Sequence, residues 1–425
     1  MNCTKSSLFR AVLILFLFVS ITRFYSSDVL AGGYKIPEQS ANSVGLGAAY
    51  VANASGPDSA YYNPANMVWS DEGAALETSL NFIYLPGVDF NGTYLGVSAN
   101  TQSRSENVFL PNVHFISPKY GNTRLGFSLV YPFGLSKRWD TSPQRVFFKE
   151  FTLEVVELDI SAAFMIDPKL SVGWGIRGVF SKGIVKGDGS ATVPGLGPIS
   201  RDFRRELKGD DFSPGYFVAL SYKAAKPLML STVYRSKVTP NLEGNATLSA
   251  TGPGGGTYSG PTSLEVVLPA TWQVAVAYTL PKAVFELVYE RTYWSAYQSL
   301  DFEYGNALNS PVLSGVFDTP IAKNWKDSDT YRFGFTYHYN AKFIWLMGLG
   351  YDETPVPESS LNFELPDSNA VLYSTGLRYQ HDKKIVLALG YLLSQKKDRN
   401  VTNTSVNGRF ESNIHIVNAS LAYAF

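Results

Sequence analysis

Few residues of this sequence are placed to do bond-making chemistry. None of the four histidines lies near another along the chain: they are His114, His338, His381 and His415. No Gly-x-Ser-x-Gly, His-Glu-x-x-His or paired-cysteine motif accompanies them. We therefore predict a protein that is not an enzyme and that has no metal site and no cofactor. The enzymatic alternative is a barrel lipase with Ser and His on neighbouring strands.

The first 31 residues have the features of an export signal. Lys5 and Arg10 supply its charge, and the apolar run 11–21 is too short to span a bilayer. Residues 29–31, Val-Leu-Ala, satisfy the small-residue rule for cleavage. We therefore predict a signal peptide over 1–31 and a mature chain that begins at Gly32, with an uncleaved anchor as the alternative. The only cysteine, Cys3, would leave with the signal.

The charge and hydropathy of the chain restrict its class. Lys plus Arg and Asp plus Glu number 36 each, so there is no basic field that would attract nucleic acid. A mean hydropathy of −0.05 disfavours a helical membrane protein. It remains compatible with a membrane barrel, because lipid-facing apolar residues and lumen-facing polar residues alternate and cancel in the average.

After Asp71 the sequence alternates with period two, which is typical of strands with one apolar and one polar face. Leu125, Phe127 and Leu129 form one such apolar row. Fourteen runs of this kind can be placed. They lie near 73–85, 106–117, 123–134, 150–167, 169–187, 212–224, 227–251, 261–280, 281–304, 328–341, 342–353, 368–381, 384–398 and 409–425.

The connections between these runs alternate between short and long. Short turns are predicted at 167–169, 224–226, 281–282, 340–342 and 381–383, and the intervening loops are long, polar and rich in Gly and Pro. This asymmetry and the even strand count are typical of an outer-membrane barrel with both chain ends in the periplasm. The last run alternates up to Phe425, which resembles the C-terminal signal that barrel-assembly machinery reads.

The stretch from Ser40 to Trp69 has no strand alternation and is rich in Ala, Gly, Ser and Asn. A fourteen-stranded barrel leaves a hole that side chains alone cannot fill. Residues 32–71 are too few for an independent soluble domain but suit a stopper inside the lumen. We therefore predict an all-β fold: a fourteen-stranded antiparallel transmembrane barrel over 72–425, with an N-terminal hatch over 32–71.

Short motifs along nearly the whole mature chain resemble the FadL family of outer-membrane transporters for long-chain fatty acids and other hydrophobic compounds. They are Val44-Gly45-Leu46-Gly47-Ala48-Ala49-Tyr50, Tyr62-Asn63-Pro64-Ala65, Leu110-Pro111-Asn112, Tyr131-Pro132-Phe133-Gly134-Leu135, Tyr234-Arg235-Ser236, Leu268-Pro269-Ala270-Thr271-Trp272, Asn324-Trp325-Lys326-Asp327 and Pro355-Val356-Pro357. The resemblance implies a fourteen-stranded barrel with an N-terminal hatch. One departure is Asn66, where Gly often follows Asn-Pro-Ala in the family.

The resemblance also implies a transport route: capture by extracellular loops, transfer to an apolar pocket beside the hatch, and lateral exit at a kink in the third strand. It places Tyr34 and Ile36 in the ligand pocket, with a free N-terminal tail as the alternative. It assigns a gating or structural role to residues 63–65, Asn-Pro-Ala. Pro132 could weaken strand pairing at the kink because it has no backbone N–H; alternatively it lies on the extracellular rim.

A fatty carboxylate in an apolar pocket needs a cationic partner. Lys182, Lys323 and Lys326 fall near the family's basic ligand contacts, with solvated loop or lumen charges as the alternative. Alternation along its strand points Lys182 outward, so a lumen position requires a bulge. Arg177 has the inward parity and is the reserve candidate.

The resulting hypothesis is an outer-membrane channel of Gram-negative type for diffusive uptake of hydrophobic molecules, most simply long-chain fatty acids. Aromatic or aliphatic hydrocarbons taken up by the same route are one alternative. A general porin for small polar solutes and an adhesin with binding loops are the others. The expected partners are a hydrophobic ligand, outer-membrane lipid and lipopolysaccharide, and barrel-assembly machinery during biogenesis, with the chain as a monomer and no nucleic acid.

Overall fold

Fourteen antiparallel strands close into one barrel in the computed structural model, which describes residues 32–193 and 197–425. The predicted signal, 1–31, lies outside the described residues. In chain order, the barrel strands β1 to β14 are Ala75–Leu85, Glu106–Ile116, Thr123–Lys137, Glu150–Asp167, Leu170–Ala191, Arg201–Ala225, Leu228–Arg235, Thr271–Thr279, Ala283–Thr292, Ser328–His338, Phe343–Asp352, Ala370–Gln380, Ile385–Lys396 and Asn413–Ala424. Each pairs with the next, and β14 pairs with β1 from Ala75↔Ala424 to Tyr84↔His415, which closes the barrel.

The polarity of the strands is inverted relative to a soluble protein. Along β4, Leu158 and Ile160 are 44% and 58% exposed, whereas Glu157 and Asp159 between them are fully buried. Alternate side chains point to opposite faces of a strand, so the apolar row lies on the outer surface and the acidic row on the inside. This arrangement suits lipid outside the barrel and confirms the predicted faces.

The predicted topology is confirmed, and the boundaries of four runs are corrected. The sixth strand starts at Arg201, rather than near 212. Three predicted runs each divide into a barrel strand and a separate strand that is not one of the fourteen in the barrel: 227–251, 261–280 and 281–304. These separate strands are Asn241–Ala250, Gly256–Glu265 and Phe302–Tyr304, which pair in series with the first part of β6.

The long loops pack over the barrel mouth. Strands Asp89–Tyr94 and Val406–Glu411 form a small loop sheet with Val97–Ser98, Thr101–Gln102 and Arg399–Thr402. Phe90 and Phe410 from this sheet pack on Phe363, with ring centroids 4.8 and 5.3 Å apart. The mouth is therefore covered by an apolar loop layer.

The N-terminal segment, residues 32–71, lies inside the barrel. It contains the helices Ala41–Gly45 and Ser59–Tyr62 and the 3-10 helix Pro64–Trp69. Two further helices, Arg145–Phe148 and Pro311–Phe317, lie in loops, as do short 3-10 turns at Trp294–Ala296 and Glu358–Ser360. No helix in the described ranges is long and apolar enough to cross a bilayer.

Candidate ligand-binding and gating site

The third barrel strand leaves its ladder in mid-course. Within the described residues, β3 pairs with β2 over only four residue pairs, from Val113↔Leu129 to Ile116↔Gly126. Its pairing with β4 shifts register between Val130 and Phe133, so Tyr131 and Pro132 stand outside the ladder. Because Pro132 has no N–H, a ladder bond is lost there in any case. The ladder between β2 and β3 therefore ends at the Val113↔Leu129 pair, and the predicted kink lies within strand β3.

The N-terminal segment pairs with the bent part of β3 in place of β2. Ile36 donates its N–H to the Pro132 carbonyl at 2.7 Å, and Gly134 donates to the Tyr34 carbonyl at 2.9 Å. The buried Gln39 amide accepts from the Tyr131 N–H at 2.8 Å and donates to its carbonyl at 3.0 Å. These bonds satisfy backbone groups that the kink would otherwise leave unpaired.

An aromatic chamber surrounds Tyr34. Its ring packs against Trp294, Trp325 and Tyr297 with centroid distances of 4.7, 5.7 and 6.2 Å, and its hydroxyl donates to the Val267 carbonyl. An apolar cavity of about 50 Å³ adjoins the ring. A space of that size holds one or two water-sized groups, so a ligand must displace side chains to enter. The structure thus places Tyr34 at a lumen cavity.

Ile36 lies in a different cluster from Tyr34. It is fully buried with Ile83, Val108 and Ile416 in the barrel interior. The N-terminal segment at 34–36 is therefore packed on both sides of its backbone, and the alternative of a free tail does not hold.

Ion pairs tie the start of the segment to the barrel. Lys35 pairs with Glu290, which also accepts from Arg332 at 3.4 Å. The Gly33 N–H donates to the Asp367 carboxylate at 3.2 Å, and Lys396 pairs with the same carboxylate at 2.9 Å. These charges are buried but paired, as buried charges must be.

Asn63 organises the turn that the sequence singles out. Its side-chain amide donates to the Val51 carbonyl and to the Ser221 hydroxyl, each at 2.9 Å. Its carbonyl oxygen accepts from the Ala65 N–H at 3.2 Å and begins the 3-10 helix. The side chain thus holds two parts of the segment to each other and to β6. Asn66, the departure from the family pattern, donates to three carbonyls of residues 51–54 and so strengthens the same turn.

Pro64 and Ala65 dock directly on the barrel wall. The Ser171 hydroxyl donates to the Ala65 carbonyl at 2.7 Å. A Cβ on Gly173 would lie 2.5 Å from the Ala65 nitrogen, so only glycine permits this approach. On the opposite wall, a Cβ on Gly348 would overlap the Leu46 carbonyl group. The segment therefore contacts both sides of the barrel through its backbone.

Glu286 is a contact that the sequence does not reveal. Its buried carboxylate, on β9, accepts from the N–H groups of Val51, Ala52 and Asn53 at 2.8, 2.6 and 3.3 Å. Consecutive N–H groups converging on one anion form a strong, charge-assisted arrangement. A polar residue with inward parity was its only sequence signal.

The four predicted cations do not come together. Lys182 shares the outer face with Phe180, and the pairing of β5 with β6 runs without a register shift, so the required bulge is absent. Lys182 therefore does not face the lumen, and the parity of the strand is the better guide. Lys326 follows Trp325 of the chamber in sequence, but its side chain is exposed on the loop.

The other two cations are buried but already paired. Arg177 donates two bonds to Glu157, at 3.0 and 2.6 Å. Lys323 pairs with Glu364. Either side chain would have to break its ion pair with a protein carboxylate before it could bind a ligand anion. Both are therefore poor candidates for binding a fatty carboxylate.

Comparison with known proteins places this arrangement in context. The model of the family described as outer membrane protein transport protein (OMPP1/FadL/TodX) matches residues 22–425. The chain is 26% identical to a long-chain fatty acid transport protein of Escherichia coli O6:H1, over 92% of each chain. It is 22% identical to outer membrane protein P1 of Haemophilus influenzae, over 93% of this chain and 95% of that one.

Solved structures share the fold. A FadL homologue of Pseudomonas aeruginosa superposes with a TM-score of 0.82 at 20% identity, over 93% of this chain and all of that one. The toluene transporter TodX of P. putida gives a TM-score of 0.73 at 17% identity, over 91% and 98%.

Proposed function

The chain belongs to the OMPP1/FadL/TodX family of outer membrane transport proteins, and on that premise we propose that it admits long-chain fatty acids by diffusion. It is an outer-membrane channel for hydrophobic compounds, not an enzyme. The finer assignment to fatty acids draws on the similarity to long-chain fatty acid transport proteins of Escherichia coli and Salmonella typhi.

The observation that carries the proposal is the junction between the N-terminal segment and the kinked strand β3. An apolar chain gains roughly 0.8 kcal/mol for each methylene that it buries away from water. A route past Tyr34 and out between β2 and β3 keeps such a chain away from water and delivers it to the lipid. Movement of residues 34–39 would open the chamber and this gap together.

We also propose that residues 32–71 act as a hatch, after removal of 1–31 as a signal and within the barrel formed by 72–425. The test is deletion of 32–71, with barrel folding checked by heat-dependent migration on gels. A hatch predicts a sharp rise in ion conductance across planar bilayers. Unchanged conductance in a folded barrel would refute the hatch. High conductance in the intact protein would favour a porin.

Hydrocarbons are the second candidate ligand class. Structures with a similar fold include toluene transporters, and the predicted pocket lysines are paired or outside the lumen. Mass spectrometry of lipids that co-purify with the intact protein separates the two classes. A bound fatty acid supports the proposal, and a neutral hydrocarbon alone contradicts it while leaving hydrophobic transport intact. The proposal also includes a monomeric state and contacts with outer-membrane lipid, with lipopolysaccharide and, during biogenesis, with barrel-assembly machinery.

A further inference from the structure

Every short turn of the barrel carries a lysine. The six turns join β2 to β3, β4 to β5, β6 to β7, β8 to β9, β10 to β11 and β12 to β13. Their lysines, which we call the lysine rim, are Lys119, Lys169, Lys226, Lys282, Lys342, Lys383 and Lys384. Short turns face the periplasm in an outer-membrane barrel. The lysine rim therefore surrounds the periplasmic end of the protein.

Most of the lysine rim has no protein partner for its charge. Lys119 pairs with Glu72 at 2.8 Å, and the Lys384 ammonium lies 5.6 Å from the centroid of the Tyr423 ring. The other five lysines are exposed, and none of them forms an ion pair within the part of the chain that the structure describes. They are Lys169, Lys226, Lys282, Lys342 and Lys383.

The acidic residues of the same turns are bonded to the backbone. Asp167 accepts from two N–H groups of its own turn at 2.6 and 3.0 Å, and Asp382 does the same at 2.7 and 3.0 Å. Both carboxylates thus close a turn and do not bridge to a lysine ammonium. Asp71 and Glu72 precede β1. The sector of the rim from β4 to β13 therefore has an excess of positive charge.

Cations on the long loops at the opposite end find carboxylates within the protein. Arg138 and Lys186 both pair with Glu150, at 3.1 and 2.9 Å, and Arg291 pairs with Asp329 at 3.0 Å. Opposite charges that are interspersed in this way cancel at a distance. A rim of like charges does not cancel, and it attracts anions from its surroundings.

A girdle of exposed aromatic side chains adjoins the lysine rim. Each of its members lies within four residues of a rim lysine: Tyr120, Tyr222, Tyr278, Tyr339 and Phe343. Aromatic girdles mark the interface between the hydrocarbon layer and water in membrane barrels. The turns are short and cannot carry their lysines far beyond that level. The lysine rim therefore lies at the depth of the lipid head groups.

We propose that the lysine rim binds the phosphate groups of anionic phospholipids, such as phosphatidylglycerol, in the periplasmic leaflet. A lysine ammonium binds phosphate as a compact point charge. Neighbouring turns are two strands apart, which is about 10 Å or roughly one Debye length, so each lysine attracts its own head group. This inference deepens the lipid contact of the proposed function by naming the lipid class, and it rests on the outer-membrane location and not on the transported ligand.

The test measures the selectivity of the lipid shell around the barrel. Purified full-length protein is reconstituted in phosphatidylcholine bilayers that contain spin-labelled phosphatidylglycerol or spin-labelled phosphatidylcholine. Electron paramagnetic resonance then gives the fraction of each label that the protein immobilises. A lysine near anionic lipid contributes about 1 kcal/mol, which is roughly a fivefold preference at each rim lysine. Because only part of the shell touches the rim, we expect an average preference of about twofold for phosphatidylglycerol.

The main variant combines Lys226→Gln, Lys282→Gln and Lys342→Gln and should lose about half of that preference. The matched control removes the same charge from exposed lysines at the opposite end, by Lys208→Gln, Lys237→Gln and Lys326→Gln, and should retain it. Heat-dependent migration on gels shows that each variant is folded. Raising the salt concentration to about 1 M should weaken the preference of the native chain, because the Debye length falls to about 3 Å.

Four results would overturn the proposal. The first is a native chain without preference for phosphatidylglycerol, and the second is an unchanged preference in the main variant. The third is an equal loss in both triple variants, which would assign the effect to net charge. The fourth is a native chain that ignores phosphatidylglycerol but sediments with purified peptidoglycan, provided the main variant does not; the partner would then be the cell wall. None of these results bears on the transported ligand, which mass spectrometry of co-purifying lipids tests separately.

Discussion

Replacement of Glu286 by Ala should release the middle of the N-terminal segment from the barrel wall. The carboxylate accepts two well-formed bonds, at 2.8 and 2.6 Å, and one longer bond at 3.3 Å, all from backbone N–H groups of residues 51–53. A hydrogen bond to a charged group contributes roughly 1.5–3 kcal/mol. Water entering the space left by the side chain recovers part of that loss, and removal of a buried charge offsets more.

We therefore expect local opening to become easier by about 2–4 kcal/mol, which is roughly a 30- to 900-fold increase in the opening constant. Native-state hydrogen exchange read by mass spectrometry measures this at the amides of Val51, Ala52 and Asn53. Glu286→Gln keeps one acceptor oxygen and should produce a smaller increase.

The amide of Val44 is the internal reference, because it donates to the Ser40 carbonyl within its own helix at 2.9 Å. If only residues 51–53 speed up, opening is local; if Val44 speeds up equally, the segment moves as one body. Unchanged exchange at 51–53 in Glu286→Ala would refute the reasoning, because it would mean that these bonds do not hold the segment.

Three further changes test other contacts. Gly348→Val should displace residues 45–49 and raise conductance, since its Cβ would overlap the Leu46 carbonyl group. Gly178→Val is the control for a general effect of replacing a strand glycine, because the nearest atom to a Cβ there belongs to the Phe212 ring on the outer face, at 3.2 Å. Gln39→Leu should leave the N–H and carbonyl of Tyr131 without their side-chain partners, at a cost of about 1–3 kcal/mol in stability, and hydrogen exchange at the Tyr131 amide should become faster. Exchange at that amide equal to that of the native chain would contradict this prediction. Burial raises the pKa of the Glu38 carboxyl from 4.5 to about 7, so the folded segment binds this proton more tightly than the unfolded chain does. The stability that this group contributes should therefore fall as pH rises from about 4.5 to 7, and Glu38→Gln should reduce the pH dependence of thermal unfolding across this range.

The sequence predicted the barrel well because its strands obey one local rule. Alternation places Leu158 outside and Asp159 inside wherever a strand spans the membrane, so the number and order of strands follow from pattern alone. The same rule correctly pointed Lys182 outward. It could not separate β7 from the strand Asn241–Ala250, because strands that extend beyond the lipid have the same period as those within it.

The candidate site was less predictable because its contacts join distant parts of the chain. Glu286 meets Val51 across 235 positions, and Asn63 meets Ser221 across 158. No local period encodes such a meeting. The family resemblance singled out Tyr34, which the structure places at a lumen cavity. Whether a cation such as Lys323 is free or paired depends on a partner, here Glu364, that only the folded chain identifies.

The short ladder between β2 and β3 has a mechanical consequence. A barrel wall excludes water and lipid because the backbone polar groups of each pair of neighbouring strands are hydrogen-bonded to each other. Here part of that bonding comes from Ile36 and Gln39 and not from the adjacent strand. Withdrawal of residues 34–39 therefore exposes an unbonded strand edge at the moment it empties the chamber. On the proposed route, unblocking the lumen and parting the wall would therefore be coupled, because both require residues 34–39 to leave the same position.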